Sequence, residues 1–219
     1  MPLSVKENID LAGTPTTNSL AVFAEAVVSS DAPAVERMKA AGAIPISRTN
    51  LPDLGLRVAT ESSLHGITRN PWNSSRTAGG SSGGEGSSLA SGMSPIGLGN
   101  DIGGSLRNPA HCCGIASIKP STGVVPAATE LPPDDSSLMF QLMAVEGVMA
   151  RRVADVIEAG GTDADGDGLL RWFPAAPPDA GVVHHRPASD SGAAAAEDSG
   201  RAGNTQTDAG ASEGGAGQL

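Results

Sequence analysis

Residues 79–107 read GGSSGGEGSSLASGMSPIGLGNDIGGSLR, with a glycine-serine cluster on either side of one short helix-strand span. The apolar run SPIGLG within it, residues 94–99, predicts a strand that ends at the second cluster. Glycines are favoured in loops that bring backbone NH groups close to a ligand, because a β-carbon forbids the φ angles and approach distances required. We therefore expect two serine-bearing loops near one edge of a sheet.

Ser105 follows Gly103 and Gly104 just after this predicted strand. A serine there, on a loop of inward-pointing backbone donors, is suited to be a nucleophile with its own oxyanion hole. Three alternatives fit less well. Linker glycines would not enclose an apolar strand. A phosphate-binding loop would need Gly-Lys-Ser/Thr after its glycines. Residues 79–83 match the G-x-S-x-G elbow of α/β-hydrolases, but no buried strand precedes them.

A serine nucleophile needs a base, and the histidines are poor candidates. His65 and His111 are isolated in the sequence, and the other two lie in the polar C-terminal part. Lys6 lies in the apolar run LSVKENI, where burial would favour the neutral amine that a general base requires. Judged alone, Lys6 also fits a strand-end surface charge paired with Glu7.

Strand and helix patterns alternate from residue 1 to about residue 155. A strand is predicted at LSVKENI, a helix over residues 34–41 capped by Ser30 or Asp31, and a strand at AIPI, residues 43–46. The run GIASIK, residues 114–119, ends at a Pro-Ser-Thr-Gly turn. Farther on, LMAVEGVMARRVADVI predicts a mixed apolar helix or a strand followed by a helix. Strands interleaved with helices predict an α/β fold.

The C-terminal part differs in composition. Residues 158–219 are dominated by Ala, Gly, Ser, Asp and Pro, and from residue 175 onward large apolar side chains are nearly absent. Such a segment cannot bury enough surface to offset the entropy of ordering it. The sequence thus predicts a domain over residues 1–157 and a low-complexity, disordered tail over residues 158–219.

Charge and cysteine usage limit the partners and the compartment. The formal net charge of -10 argues against a nucleic-acid backbone or an anionic membrane surface as partner. Cys112 and Cys113 are adjacent, so a bridge between them would be strained, and we expect small buried hydrophobes in a reducing compartment. The chain has neither a run of about 18 apolar residues nor a recognisable signal peptide. A cytoplasmic location is predicted.

Together these blocks resemble the amidase signature family. The segments VKENID, GGSSGG, GLGNDIGGSLRNPA and CGIASIKPSTGVVP occur in the family's order and spacing. RTNLPDLG and NPWNSSRTAGGSSGG are similar to its connecting segments, and EGVMARRVADV is similar to a later block. The resemblance covers roughly residues 1–155.

The resemblance implies an amidohydrolase with a Lys-Ser-Ser triad. Ser105 would be the nucleophile, Ser81 a bridging serine that follows a cis peptide bond, and Lys6 the base. The oxyanion would be held by four backbone NH groups, those of Ile102, Gly103, Gly104 and Ser105. Supporting roles are implied for Ser82, Asp101 and Arg107. No metal or organic cofactor is needed, and the expected partner is a small-molecule amide.

The implied fold is an α/β/α sandwich with a mixed sheet, here incomplete, because family members are much longer and the similarity stops after Ile157. Two departures stand inside the matched region: Asn100 where the family usually has Thr, and Val148 where it usually has Pro. Full-length members are compatible with a homodimer. Two other interpretations remain open: a non-catalytic truncated remnant of an amidase, and a transamidase subunit like that of glutamyl-tRNA(Gln) amidotransferase.

Overall fold

The computed structural model describes residues 1–131 and 137–160, which form a sheet packed between helices. The strands are β1 (Pro2–Lys6), β2 (Ile44–Thr49), β3 (Glu61–Ser62), β4 (Gly66–Ile67), β5 (Ile96–Asp101), β6 (Ala116–Ser117) and β7 (Val145–Ala150). The helices are α1 (Pro33–Ala40), α2 (Gly83–Ala90), α3 (Arg107–Cys113), α4 (Leu138–Met143) and α5 (Val153–Gly160). Single 3-10 turns lie at Ala21–Phe23 and Asp53–Gly55.

Five strands form one mixed sheet in the order β2-β1-β5-β7-β6. Strand β1 lies between β2 and β5 and runs parallel to both. Strand β7 runs antiparallel to β5 and to β6. Strands β3 and β4 form a separate two-stranded ladder. The predicted mixed sheet is confirmed.

The alternation of side chains along β1 assigns the two faces of the sheet. Leu3 and Val5 are fully buried in an apolar cluster that includes residues of α1 and α5. Ser4 and Lys6 point to the other face, where they contact residues of α2 and of the loop before it. Burying an apolar side chain such as Leu3 contributes about 1.5 to 3 kcal/mol, so the register of β1 is strongly fixed.

A second, smaller apolar cluster covers the α2 and α3 side of the sheet. It consists of Leu89, Leu106, Ala110 and Met149. Helices therefore pack on both faces, as the predicted α/β/α arrangement requires.

Several predicted elements are confirmed, but the capping of α1 is not. Its N-cap is Ala32, which makes no side-chain cap. Ser30 instead donates to the Glu130 carboxylate, and Asp31 pairs with Lys39 at 2.6 Å. The predicted caps are wrong because both side chains are engaged in other contacts.

Later segments show a similar mixture of agreement and correction. Of residues 114–119, only Ala116 and Ser117 join the sheet. The segment read as a strand followed by a helix contains β7 and α5, preceded by the end of α4. Helix α5 continues to Gly160, three residues past the predicted domain boundary. The rest of the predicted tail lies outside the described residues.

Both cysteines are free thiols on α3, and Cys113 is completely buried. Among residues 1–131 and 137–160, no helix is long and apolar enough to span a bilayer.

Candidate active site

Lys6 is the last residue of β1 and has a fully buried side chain. Its Nζ lies 2.7 Å from Ser81 Oγ and 2.5 Å from Asn100 Oδ1. Burial lowers the pKa of Lys6 to about 7, although the carboxylates of Glu85 and Asp101 act to raise it. A substantial fraction of this amine is therefore neutral at physiological pH, and the neutral amine can accept a proton.

Ser81 lies in the loop that leads into α2, and the peptide bond between Gly80 and Ser81 is cis. The loop is fixed on both sides. Gly80 NH donates to Asn108 Oδ1 at 2.9 Å, and Thr60 Oγ1 accepts from Gly83 NH while donating to the carbonyl of residue 79. These bonds hold Ser81 in place beside the amine of Lys6.

The glycines of the first cluster serve internal packing more than ligand approach. A β-carbon on Gly84 would lie 2.3 Å from Asn50 N, and one on Gly80 would lie 2.5 Å from the Arg57 carbonyl oxygen. Glycine is therefore needed where this loop and α2 press against the backbone of residues 50–59. The predicted role in ligand approach is therefore wrong for Gly80 and Gly84, where close backbone packing requires glycine.

The second glycine cluster is different because it faces open space. A β-carbon on Gly103 or Gly104 would meet no heavy atom within 4 Å among the described residues. Gly104 also has a φ of +121°, which a residue with a β-carbon rarely adopts. Ser105, next in the chain and half-buried, therefore lies where a substrate can approach.

Asp101, the last residue of β5, holds this second loop together. Its carboxylate accepts from Gly104 NH at 2.7 Å and Leu106 NH at 3.0 Å, and from two nitrogens of Arg107 at 3.0 Å each. Burial acts to raise the pKa of Asp101, but these hydrogen bonds from Arg107 and the backbone lower it to about 2. The carboxylate is thus ionised throughout the neutral range.

Four backbone NH groups are expected to hold an oxyanion, and Asp101 engages one of them. The Gly104 NH donates to Asp101, so in this conformation it does not point to a substrate oxygen. The NH groups of Ile102, Gly103 and Ser105 are the remaining candidates.

Ser82 connects the two serine loops. Its backbone NH donates to the Ser105 carbonyl at 3.2 Å, and its Oγ donates to the Asn100 carbonyl at 3.3 Å. The structure therefore brings Lys6, Ser81 and the Ser105 loop to one edge of the sheet. This edge is formed by the carboxyl ends of the parallel strands β1 and β5.

Three site residues were not assigned a role from the sequence. Asn100 was noted only as a departure from the family pattern, but it contacts Lys6 directly and donates to Asn8 Oδ1 at 3.0 Å. Glu85 is buried in the first turn of α2. The sequence did contain a signal for Glu85, because it is the one charged residue in a helix made mainly of glycine and serine. Asn108, which accepts from Gly80, gave no sequence signal.

His65 is isolated in the sequence, but in the structure it has a charged partner. Its Nε2 lies 2.8 Å from Glu7 Oε2, and Glu7 follows Lys6 in the chain. The contact arises because the loop containing β3 and β4 folds back toward the end of β1. The same contact shows that Glu7 pairs with His65 rather than with Lys6.

No group of three or more His, Cys, Asp or Glu side chains that could hold a metal ion occurs in the part of the chain that the structure describes.

Comparison with known proteins identifies relatives of this arrangement. The profile of the family described as Amidase matches residues 1–161. An indoleacetamide hydrolase of Bradyrhizobium diazoefficiens is 44% identical over 177 residues, which is 81% of this chain and 34% of that protein. A glutamyl-tRNA(Gln) amidotransferase subunit of Methanococcoides burtonii is 44% identical over 125 residues, 57% of this chain and 26% of that protein.

The fold has solved counterparts. A 6-aminohexanoate cyclic dimer hydrolase superposes with a TM-score of 0.70 and 34% identity, covering 87% of this chain and 37% of that one. This chain thus spans about a third of the length of the relatives it matches.

Proposed function

This chain belongs to the Amidase family, and from that premise we propose that it hydrolyses the C–N bond of small carboxylic amides through an acyl-serine intermediate. Ser105 is the nucleophile, Ser81 the proton relay and Lys6 the general base. The observation that carries the proposal is the buried Lys6 amine, 2.7 Å from Ser81 Oγ. A buried lysine whose pKa is lowered to about 7 is suited to act as a general base near neutral pH.

The reaction follows from these positions. Neutral Lys6 takes a proton from Ser81, which takes one from Ser105 as the Ser105 oxygen attacks the amide carbonyl carbon. The tetrahedral oxyanion is stabilised by the NH groups of Ile102, Gly103 and Ser105. When the C–N bond breaks, Ser81 passes a proton to the leaving nitrogen and is reprotonated by Lys6. Water then attacks the acyl-enzyme by the same relay, releasing a carboxylic acid.

Two further contacts support this assignment. Asp101 and Arg107 brace the loop on which Ser105 lies, so the nucleophile is held on a rigid support. Ser82 links that loop to the relay serine through its backbone NH. The relatives are consistent with this class, since one is named as a hydrolase of indoleacetamide, an amide, and the other as a hydrolase of the 6-aminohexanoate cyclic dimer.

The test is covalent labelling of the purified chain with a fluorophosphonate probe, which reacts with activated serines. We expect labelling of the wild type and its loss in both Ser105→Ala and Lys6→Ala. Ser91→Ala, which removes an exposed hydroxyl at the end of α2, is the matched control and should label normally. A folded wild-type chain that does not label would refute the proposal and favour a non-catalytic protein.

A further inference from the structure

Glu85 is a completely buried acid that the proposed reaction does not use. It lies in the first turn of α2, and its carboxylate oxygens accept hydrogen bonds from two strands. Ser4 Oγ of β1 donates to Oε2 at 2.6 Å, and Thr49 Oγ1 of β2 donates to Oε1 at 2.7 Å. Burying a carboxylate is costly unless its oxygens are satisfied, and here both are.

The neighbouring strand leaves space for this side chain. A β-carbon on Gly97 of β5 would lie 2.1 Å from Glu85 Oε2. Any residue other than glycine at position 97 would therefore displace the carboxylate. Three adjacent strands of the sheet thus meet at one acidic side chain.

These contacts surround the strand segment that carries the base. Ser4 lies two residues before Lys6 on the same face of β1, and Thr49 is the register partner of Lys6 on β2. At the other end, α2 begins directly after Ser81 and Ser82. Glu85 therefore connects the strand that bears Lys6, the strand beside it and the helix that follows the relay serine.

We propose that Glu85 is a positioning residue for Lys6, holding β1 and β2 against the start of α2 and supplying a negative charge that stabilises the protonated amine. The consequence for reaction rate rests on the proposed function, but the effect on Lys6 itself does not.

The charges around the pair are few, so the effect of removing one can be assigned. Lys6 is faced by Glu85 from α2 and by Asp101 from β5, and Glu85 is faced by Lys6 and by Arg48 from β2. Burial raises the pKa of Glu85 to about 7, while the hydrogen bonds from Ser4 and Thr49 lower it. Glu85 is therefore partly ionised in the same pH range in which Lys6 titrates, and each group influences the other.

Glu85→Gln removes this charge while preserving the shape of the side chain. The glutamine oxygen can still accept from Thr49, and its NH₂ group can donate to Ser4 Oγ. That hydroxyl already has an alternative acceptor in the Ile96 carbonyl, 3.2 Å away. The substitution thus leaves every polar group of the cluster with a partner, and we expect the variant to fold.

The measurement is an NMR titration of the full chain labelled at the lysine ε-carbon. The sequence has three lysines, and Lys39→Arg and Lys119→Arg assign the other two signals. In Glu85→Gln the midpoint for Lys6 should fall by about one pH unit, because a nearby opposite charge has been removed. Glu36→Gln, which makes the same change of formal charge on the exposed side of α1, should leave it unchanged.

Ser4→Ala gives a second test of the same idea. Losing the Ser4 hydrogen bond favours the protonated, uncharged form of Glu85, so the Lys6 midpoint should again fall, by less than in Glu85→Gln. A Lys6 midpoint that stays within about 0.2 units of wild type in both folded variants would overturn the proposal.

The pH profile of fluorophosphonate labelling links the effect to function. In Glu85→Gln the rising limb of the labelling rate should shift to lower pH together with the Lys6 midpoint, which loss of packing alone would not produce. If the wild type does not label but the Lys6 midpoint still shifts, the proposed function fails and the role of Glu85 stands. If the wild type labels but the Lys6 midpoint does not move in Glu85→Gln, the proposed function stands and the role of Glu85 fails.

Discussion

Replacing Asp101 with asparagine should destabilise the chain by an amount that follows from its titration. In the folded protein, burial acts to raise the pKa of Asp101, but hydrogen bonds from Arg107 and two backbone NH groups outweigh it and bring the pKa from 3.8 to about 2. This lower pKa corresponds to about 2 to 3 kcal/mol of preferential stabilisation of the carboxylate. The Asp101 side chain is fully buried, so solvent screens its hydrogen bonds from the backbone only slightly. The Arg107 side chain is exposed, so solvent screening weakens the contribution of that ion pair to stability. We expect a loss of about 2 kcal/mol.

The sign of the pH dependence gives an independent check. Because the folded pKa is depressed, the stabilisation is complete above the unfolded value of about 4 and is lost as the pH falls through about 2. The free energy of unfolding, measured by urea denaturation, should therefore differ between wild type and Asp101→Asn by about 2 kcal/mol at pH 7. The two should converge toward about pH 2.

Glu158→Gln, which removes an exposed carboxylate from α5, is the matched control and should change stability by less than about 0.5 kcal/mol. If Asp101→Asn unfolds at the same urea concentration as wild type at pH 7, with an unchanged slope, the loop does not depend on this carboxylate. Asp101 would then not be the residue that fixes the loop bearing Ser105.

Two further substitutions test the site and the packing around it. Asn100→Asp places a carboxylate where an oxygen now lies 2.5 Å from Lys6 Nζ, so the pKa of Lys6 should rise above about 7. Fluorophosphonate labelling at pH 7 should then slow by about tenfold or more and recover at higher pH, and an unchanged pH profile would contradict this. Gly84→Ala puts a β-carbon 2.3 Å from Asn50 N, and the overlap should cost about 1 to 3 kcal/mol in urea denaturation despite the better helix propensity of alanine. Gly103→Ala has open space around it and should stay within about 0.5 kcal/mol, so equal stability losses would show that the contact is not the cause.

The sequence predicted the strands around the site because their patterns are local. In β1, Leu3 and Val5 alternate with Ser4 and Lys6, so one face had to be apolar. The helix α1 was equally visible from its apolar spacing. The N-cap of α1 could not be predicted, since the Ser30 hydroxyl donates a hydrogen bond to Glu130, a hundred residues later in the chain. No local pattern could identify that partner.

The same distinction explains which site residues were predicted. Lys6, Ser81 and Ser105 were assigned through motifs whose order and spacing resemble a family, and their catalytic roles stay a proposal. Asn100 was seen only as a substitution, because its value depends on meeting Lys6, 94 residues away. Glu85 could not be interpreted either, because its hydrogen-bond donors and the space beside Gly97 exist only after three strands have paired.

In the proposed reaction Lys6 is the base, and the arrangement of the strands is compatible with that role. Strands β1 and β5 run parallel and adjacent, so their carboxyl ends bring Lys6 and the Ser105 loop together at one edge. The side of β1 that faces α2 is buried, and this burial lowers the pKa of Lys6. Glu85 and Asp101 oppose that effect. A base that is too weak would not accept a proton, and one that is too strong would remain protonated, so the two carboxylates keep the amine in the useful range. In this proposal Gly97 also contributes to the reaction, because the absence of a side chain at that position makes room for the carboxylate of Glu85 beside Lys6.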